Sequence, residues 1–250
     1  MNFDFLGINV PQVHFDLALD VLSRIFGFGV GDRTDNWAFL HAANLKVELF
    51  GDGPYVPADR HQSVIPMIRT HDLNRTLDHL HRDPAVNTTL TAEHLTPLGR
   101  ATYLRLPGGA TWALLEEVDH AHDSTGAPPT VAALELRCAH PAQYLSFLTE
   151  TLDFQVRVNS AGHVVVQQHP DRPRLLLEAA PERLTPVKYR TQAPFYLSFS
   201  TTDVDRDSRV LLRAGRPLVS PRTTHAWGGT DVILLDPNND PIQVVQYPTT

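Results

Sequence analysis

"DVILLDPNNDPIQVVQ", Asp231 to Gln246, decides the fold once it is set beside "TYLRLPGGATWALLEE", Thr102 to Glu117. Each is an apolar run, a turn built around proline and a second strand-like run. They align with Pro107 on Pro237, 130 residues apart. Upstream, MIRTHDLNRTLDHLHRDPAV from Met67 matches SFSTTDVDRDSRVLLRAGRPL from Ser198 with Asp72 on Asp203, a shift of 131. Earlier still, HFDLALDVLSRIFGF ending at Phe28 matches HPAQYLSFLTETLDF ending at Phe154. There Leu19 and Leu22 fall on Leu145 and Leu148, a shift of 126. Three matches in one order at a nearly constant offset identify an internal duplication. The expected division is a first domain at 1–119, a linker at 120–130 (HAHDSTGAPPT, rich in Gly, Pro and polar residues) and a second domain at 131–250.

Each half divides again into a strand, an amphipathic helix and two or three strands. In the first module Phe5–Val10 leads to a helix with Leu19, Leu22 and Phe26 on one face, then to strands near Trp37–Leu40 and Leu45–Phe50. The second uses Val64–Ile68, a helix with Leu73, Leu77 and Leu80, and strands Thr102–Leu106 and Thr111–Leu115. The third uses Val131–Leu136, a helix with Leu145, Leu148 and Leu152, and strands His163–Gln167 and Arg174–Glu178. The fourth uses Phe195–Phe199, a helix with Val204 and Leu211, and the strand pair quoted at the outset. Its turn is well specified: Pro237 presets φ, and Asn238 and Asn239 tolerate a left-handed step. The predicted class is α+β: four βαβββ modules paired into two domains, modules 1 and 2 in one and modules 3 and 4 in the other.

Composition narrows the function. A net charge of −7 and a pI near 6.0 argue against nucleic acid or an anionic membrane as partner. The single cysteine, Cys138, excludes an internal disulfide and a thiolate metal cluster. The start, MNFDFLGINV, has no basic residue, and no apolar stretch reaches membrane-spanning length, so a cytoplasmic location is expected.

FLTETLDFQV (Phe147 to Val156) is similar to the "FY…LGF" helix end of the vicinal oxygen chelate superfamily, which contains glyoxalase I, the bleomycin-resistance proteins and the extradiol dioxygenases. The run from TTDVDR through LLRAGRPL to WGGTDVILLDPNNDPIQVVQ resembles that superfamily's closing "DPDGNPIEL" segment. The resemblance spans essentially the whole chain. It implies paired modules whose sheets form cups, glyoxalase/bleomycin-resistance-like domains with a pocket in each. It also implies where relatives hold a divalent metal: on the first strand of each module and on the last strands, notably the Glu of "PIEL". Carried over, the first-strand positions are Gly7, Ile65, Ala133 and Tyr196, and the closing positions are Ala113 and Gln243. Glu48 is the one carboxylate retained, while the third module offers Leu176 with Glu178 two residues on. A dication needs three or four converging His or carboxylate ligands. No metal and no other cofactor are therefore expected.

The site candidates lie mainly in the second half. Tyr196, Ser198 and Ser200 alternate along one strand and share a face. With Gln243 and Glu178 they would make a polar lining on an apolar wall, unless Tyr196 and Gln243 merely satisfy each other in a core. His225 and Trp227, in HAWGG, stand just before the last strand pair, at the rim of the cup. Glu48 completes the candidates. The expected function is binding of a small, partly apolar or aromatic molecule without metal. The alternatives are an enzyme of lyase, isomerase or dioxygenase type using His225, Tyr196 or Glu178 for proton transfer, and a non-catalytic structural or regulatory subunit. The expected partner is a small-molecule ligand, with a homodimer left open.

Overall fold

The computed structural model describes residues 1–53, 62–83, 89–106, 108–117, 129–160, 163–180 and 193–248. Most of the expected linker, up to residue 128, lies outside them. Module 1 runs β1 (Asn2–Asn9), α1 (Phe15–Asp20, prolonged by a π turn over Val21–Ile25), β2 (Gly29–Arg33), β3 (Trp37–His41) and β4 (Lys46–Phe50). Module 2 comprises β5 (Val64–Arg69), α2 (Leu73–Arg82), two short strands β6 (Thr89–Leu90) and β7 (His94–Thr96), β8 (Gly99–Arg105) and β9 (Thr111–Glu117). Module 3 comprises β10 (Val131–Cys138), α3 (Pro141–Ser146, prolonged by a π turn over Phe147–Thr151), β11 (Gln155–Ser160), β12 (His163–Gln167) and β13 (Arg174–Ala179). Module 4 is β14 (Phe195–Thr201), α4 (Val204–Arg213), β15 (Leu218–Thr224), β16 (Thr230–Leu235) and β17 (Pro241–Gln246).

The aligned residues do the same structural work in both halves. Asp72 and Asp203 are the N-caps of α2 and α4, each accepting the backbone N–H three residues on at 2.9 Å. Gly27 and Asp153, 126 apart, both take positive φ (+77° and +59°) where the π turns end. At the opening turn, Asp236 Oδ1 accepts the N–H of Asn238 (2.7 Å) and of Asp240 (2.8 Å), and Asn239 takes the left-handed step at φ +61°.

The pairing of modules differs from the sequence-based expectation. One sheet runs β15-β16-β17-β14-β1-β4-β3-β2, joining module 4 to module 1. The other runs β11-β12-β13-β10-β5-β9-β8-β6, joining module 3 to module 2. The joints are antiparallel, β1 on β14 and β5 on β10. Hydrophobic alternation dictates which face of a strand is buried, but the backbone groups along its edge are alike in every residue, so the pattern does not select the partner edge.

One apolar core fills the helix-bearing faces of both sheets. It takes Leu6, Ile8, Val47, Leu49, Phe195, Leu197, Phe199, Ile242 and Val244 from the first sheet and Leu134, Leu136, Leu175 and Leu177 from the second. Trp112 lies in this core, stacked on Phe26 at 6.3 Å and edge-on to Phe195 at 5.7 Å, rather than in a pocket. By alternation the opposite faces of the two curled sheets are free of helices, and these are the cups.

Candidate functional site

In the sheet of modules 1 and 4, the metal positions implied by the resemblance meet at the joint. Gly7 on β1 stands opposite Tyr196 on β14 and beside Glu48 on β4. Gly7 has no side chain, and the Tyr196 ring fills the gap: a Cβ built on Gly7 would lie 1.9 Å from Tyr196 Cζ. The phenol reaches across β1 and donates to Glu48 Oε2 at 3.3 Å, with Tyr196 only 1% exposed. A second polar row starts on β14. Ser198 Oγ donates to Gln243 Oε1 at 3.0 Å, and Gln243 Nε2 donates to Asp231 Oδ2 at 2.6 Å. Asp231 Oδ1 lies 3.2 Å from His225 Nε2. Asp231, 3% exposed, is thus engaged on both oxygens, and the imidazole is oriented by a buried carboxylate. Tyr196 is bonded to Glu48, and Gln243 to Ser198 and Asp231.

Aromatic rings surround these rows. Phe5 on β1 meets Phe39 on β3 at 5.9 Å and stacks on Tyr247, just past β17, at 5.4 Å. Both contacts reach over an intervening strand, as side chains do when they converge on the concave side of a curled sheet. Phe39 continues to Trp37 (6.4 Å) and His41 (4.8 Å). Tyr247 continues to Trp227 (5.7 Å), which lies parallel to the His225 ring at 5.4 Å with 4° between planes. The loop holding these residues is closed by His225 N–H to Gly229 O (2.8 Å) and Gly228 N–H to His225 O (2.9 Å). Trp227 and Tyr247 remain 52% and 40% exposed, so ring faces are open at the rim. Burial pushes the Tyr247 phenol well above its ordinary value, and the carboxylates of Glu48 and Asp4 push the same way.

The other cup is built differently. Ile65, Ala113, Ala133 and Leu176, the corresponding metal positions, are all fully buried in an apolar cluster with Met67, Ala101, Leu115 and Val165. Ion pairs close its two ends. Glu117 binds Arg69 and Arg174 at one end. At the other the buried Glu135 accepts from Tyr103 and, at 2.6 Å, from Arg137 Nε. By register Glu135 stands beside both Ile65 and Leu176, the place Gly7 holds in the first cup. The Arg137 guanidinium already neutralises it.

Six of the seven residues singled out from sequence (Tyr196, Ser198, Gln243, Glu48, His225 and Trp227) therefore share one cup. Glu178 does not. It lies on β13 in the other cup, 3.6 Å from His163, because module 3 pairs with module 2. Burial raises its carboxyl pKa, and the neighbouring Glu135 adds to the shift. Sequence reasoning missed Asp231, Phe5, Phe39, Tyr247 and Glu135. Asp231, Phe5 and Phe39 follow the alternation that marks Gln243 and Tyr196, a signal that becomes usable once the pairing of modules is known. A divalent ion does not fit the first cup: its four positions offer one carboxylate, one amide, one phenol and a glycine. Among the described residues no group of three or more His, Cys, Asp or Glu could hold a metal, and no helix is long and apolar enough to cross a membrane.

No curated protein sequence matches the chain significantly. Among solved structures it resembles a "putative dioxygenase" of Bacillus subtilis, with TM-score 0.70 at 11% identity over 100% of this chain and 86% of that one. Glyoxalase I of Zea mays superposes with TM-score 0.67 at 13% identity over 98% of this chain and 92% of that one. At such identities the likeness is one of fold. The family model for the Glyoxalase/Bleomycin resistance protein/Dioxygenase superfamily matches residues 130–244. Residues 130–244, modules 3 and 4, thus carry the sequence pattern of the Glyoxalase/Bleomycin resistance protein/Dioxygenase superfamily, and the whole chain has the two-sheet α+β fold of glyoxalase I.

Proposed function

We propose that the cup of modules 1 and 4 binds a small, partly apolar or aromatic molecule and does so without the divalent metal of its superfamily. The observation that carries this reading is the ring of Phe39, Phe5, Tyr247 and Trp227 around a floor whose metal position is occupied by the Tyr196 ring. Small-molecule sites are commonly apolar walls with a few convergent polar groups, and Glu48, Ser198, Gln243 and Asp231 supply those. The apolar filling of the second cup supports a structural role for modules 2 and 3. A cytoplasmic protein acting on a small metabolite or drug-like compound, rather than on nucleic acid, is consistent with the charge.

The test is a titration with 2-naphthol followed by tryptophan fluorescence, with and without a chelator. One site per chain, unchanged by chelator and weakened about tenfold or more in the variant Trp227→Ala/Tyr247→Ala, is the expected result, since such ring contacts contribute about 0.5–1.5 kcal/mol each. Absence of binding, or binding lost with the chelator, overturns the proposal. One observation favours a second reading: the His225–Asp231 pair at 3.2 Å has the arrangement of an oriented general base. If the cup is an enzyme, His225→Asn abolishes turnover while 2-naphthol still binds.

A further inference from the structure

We infer that the ligand selected by this cup is an organic cation, an ammonium or iminium group carried on an apolar or aromatic body. The inference rests on the binding role proposed above and adds the charge of the ligand. Its starting point is Lys46. The side chain leaves β4 on the concave face, two residues before Glu48, and its Nζ stands 5.1 Å over the centre of the Phe5 ring. Phe5 is 3% exposed, and this ammonium and the rings of Phe39 and Tyr247 are among the groups packed around it. A cation held over an aromatic face is attracted by the ring quadrupole, more strongly as it loses water. The protein thus already places a positive charge among these rings, on a flexible four-carbon stem that can swing into solvent. A ligand cation would take the same place.

The charges around the rings agree. Asp4, Glu48 and Asp231 stand with Lys46 on the side of this cup, and Arg172 reaches Asp4 from the turn between β12 and β13 of the other sheet. Arg172 is committed to Asp4 at 2.7 Å, and Asp231 is held by Gln243 and His225. When Lys46 leaves, carboxylates outnumber cations three to one beside open faces of Trp227 and Tyr247. Glu48 and Asp4 also lie close enough to the Tyr247 phenol to add to the upward push that burial gives its pKa. An anionic ligand would meet that field, and a neutral one would gain nothing from it.

The experiment compares benzyltrimethylammonium with its uncharged carbon isostere, neopentylbenzene, by calorimetry on the full chain. The expected result is about tenfold tighter binding of the cation, a ratio that shrinks in Glu48→Gln and with added salt. Lys46→Met keeps the stem and removes the resident charge, so it should tighten the cation severalfold and by more than it changes the isostere. Equal or tighter binding of the isostere overturns the inference and leaves the binding role intact, as does an unchanged cation affinity in Lys46→Met. Binding of neither compound overturns both.

Discussion

Gly7→Ala tests the floor of the cup directly. The new methyl would lie 1.9 Å from Tyr196 Cζ, 2.0 Å from Cε1 and 2.5 Å from Cε2. Tyr196 is 1% exposed and cannot move aside freely, so the ring must leave its rotamer and loosen its bond to Glu48. Overpacking of this kind costs about 1–3 kcal/mol. Replacing a strand glycine by alanine otherwise favours folding by about 0.5–1 kcal/mol, and the backbone at Gly7 has no positive φ to oppose it. The net expectation is a loss of about 1–2 kcal/mol, read by urea unfolding. In a Tyr196→Ala background the clash disappears while the backbone gain remains, so the same substitution should become neutral or stabilising. Equal effects of Gly7→Ala in the two backgrounds would refute the idea that the ring occupies the glycine's vacant space.

Three further outcomes follow from other parts of the structure. Asp236 is buried, bonded by Tyr144 Oη at 2.6 Å, and desolvation together with Asp240 pushes its carboxyl up to about 7. The folded state therefore keeps a proton that the unfolded chain releases near 3.8, so this group's stabilisation is present at pH 4 and lost as pH rises through 7. Asp236→Asn should stabilise the protein by about 2–4 kcal/mol at pH 8 and hardly at all at pH 4; the same gain at both pH values would contradict this. Arg137→Met strands the buried Glu135 carboxylate and should cost about 3 kcal/mol, most of it recovered in Glu135→Leu/Arg137→Met. Tyr196→His combined with Gln243→Glu gives Glu48 two charged or imidazole companions and should create calorimetrically detectable Zn²⁺ binding. If no zinc binds that variant, these three positions do not converge.

Much of the module plan could be read from periodicity, because it depends on local rules. Leu19 with Leu22 and Leu145 with Leu148 mark helix faces, Asp72 and Asp203 are caps, and the alternation of Tyr196, Ser198 and Ser200 fixes a shared face. The exposed edge strands β2, β11 and β15 lack a buried face, which explains why no apolar alternation announces them. The pairing of modules was not legible, since strand edges carry no side-chain code, and that one error moved Glu178 into the candidate site and left Glu48 apart from Tyr196. Glu135 escaped notice for a related reason. Inside VAALELRC it breaks an apolar run, and only the register of β10 against β5 and β13 brings Arg137 and Tyr103 around it as partners. The rim rings depend on contacts between residues far apart in sequence, such as Phe5 with Tyr247, which no local pattern records.

In the cup of modules 1 and 4 the ring of Tyr196 is proposed to fill the place where relatives hold a divalent metal. Elemental analysis of protein purified without chelator or metal-affinity tag tests it most directly. Zinc, iron, manganese and nickel are each expected far below one ion per chain. One ion per chain that disappears in Glu48→Gln would contradict it.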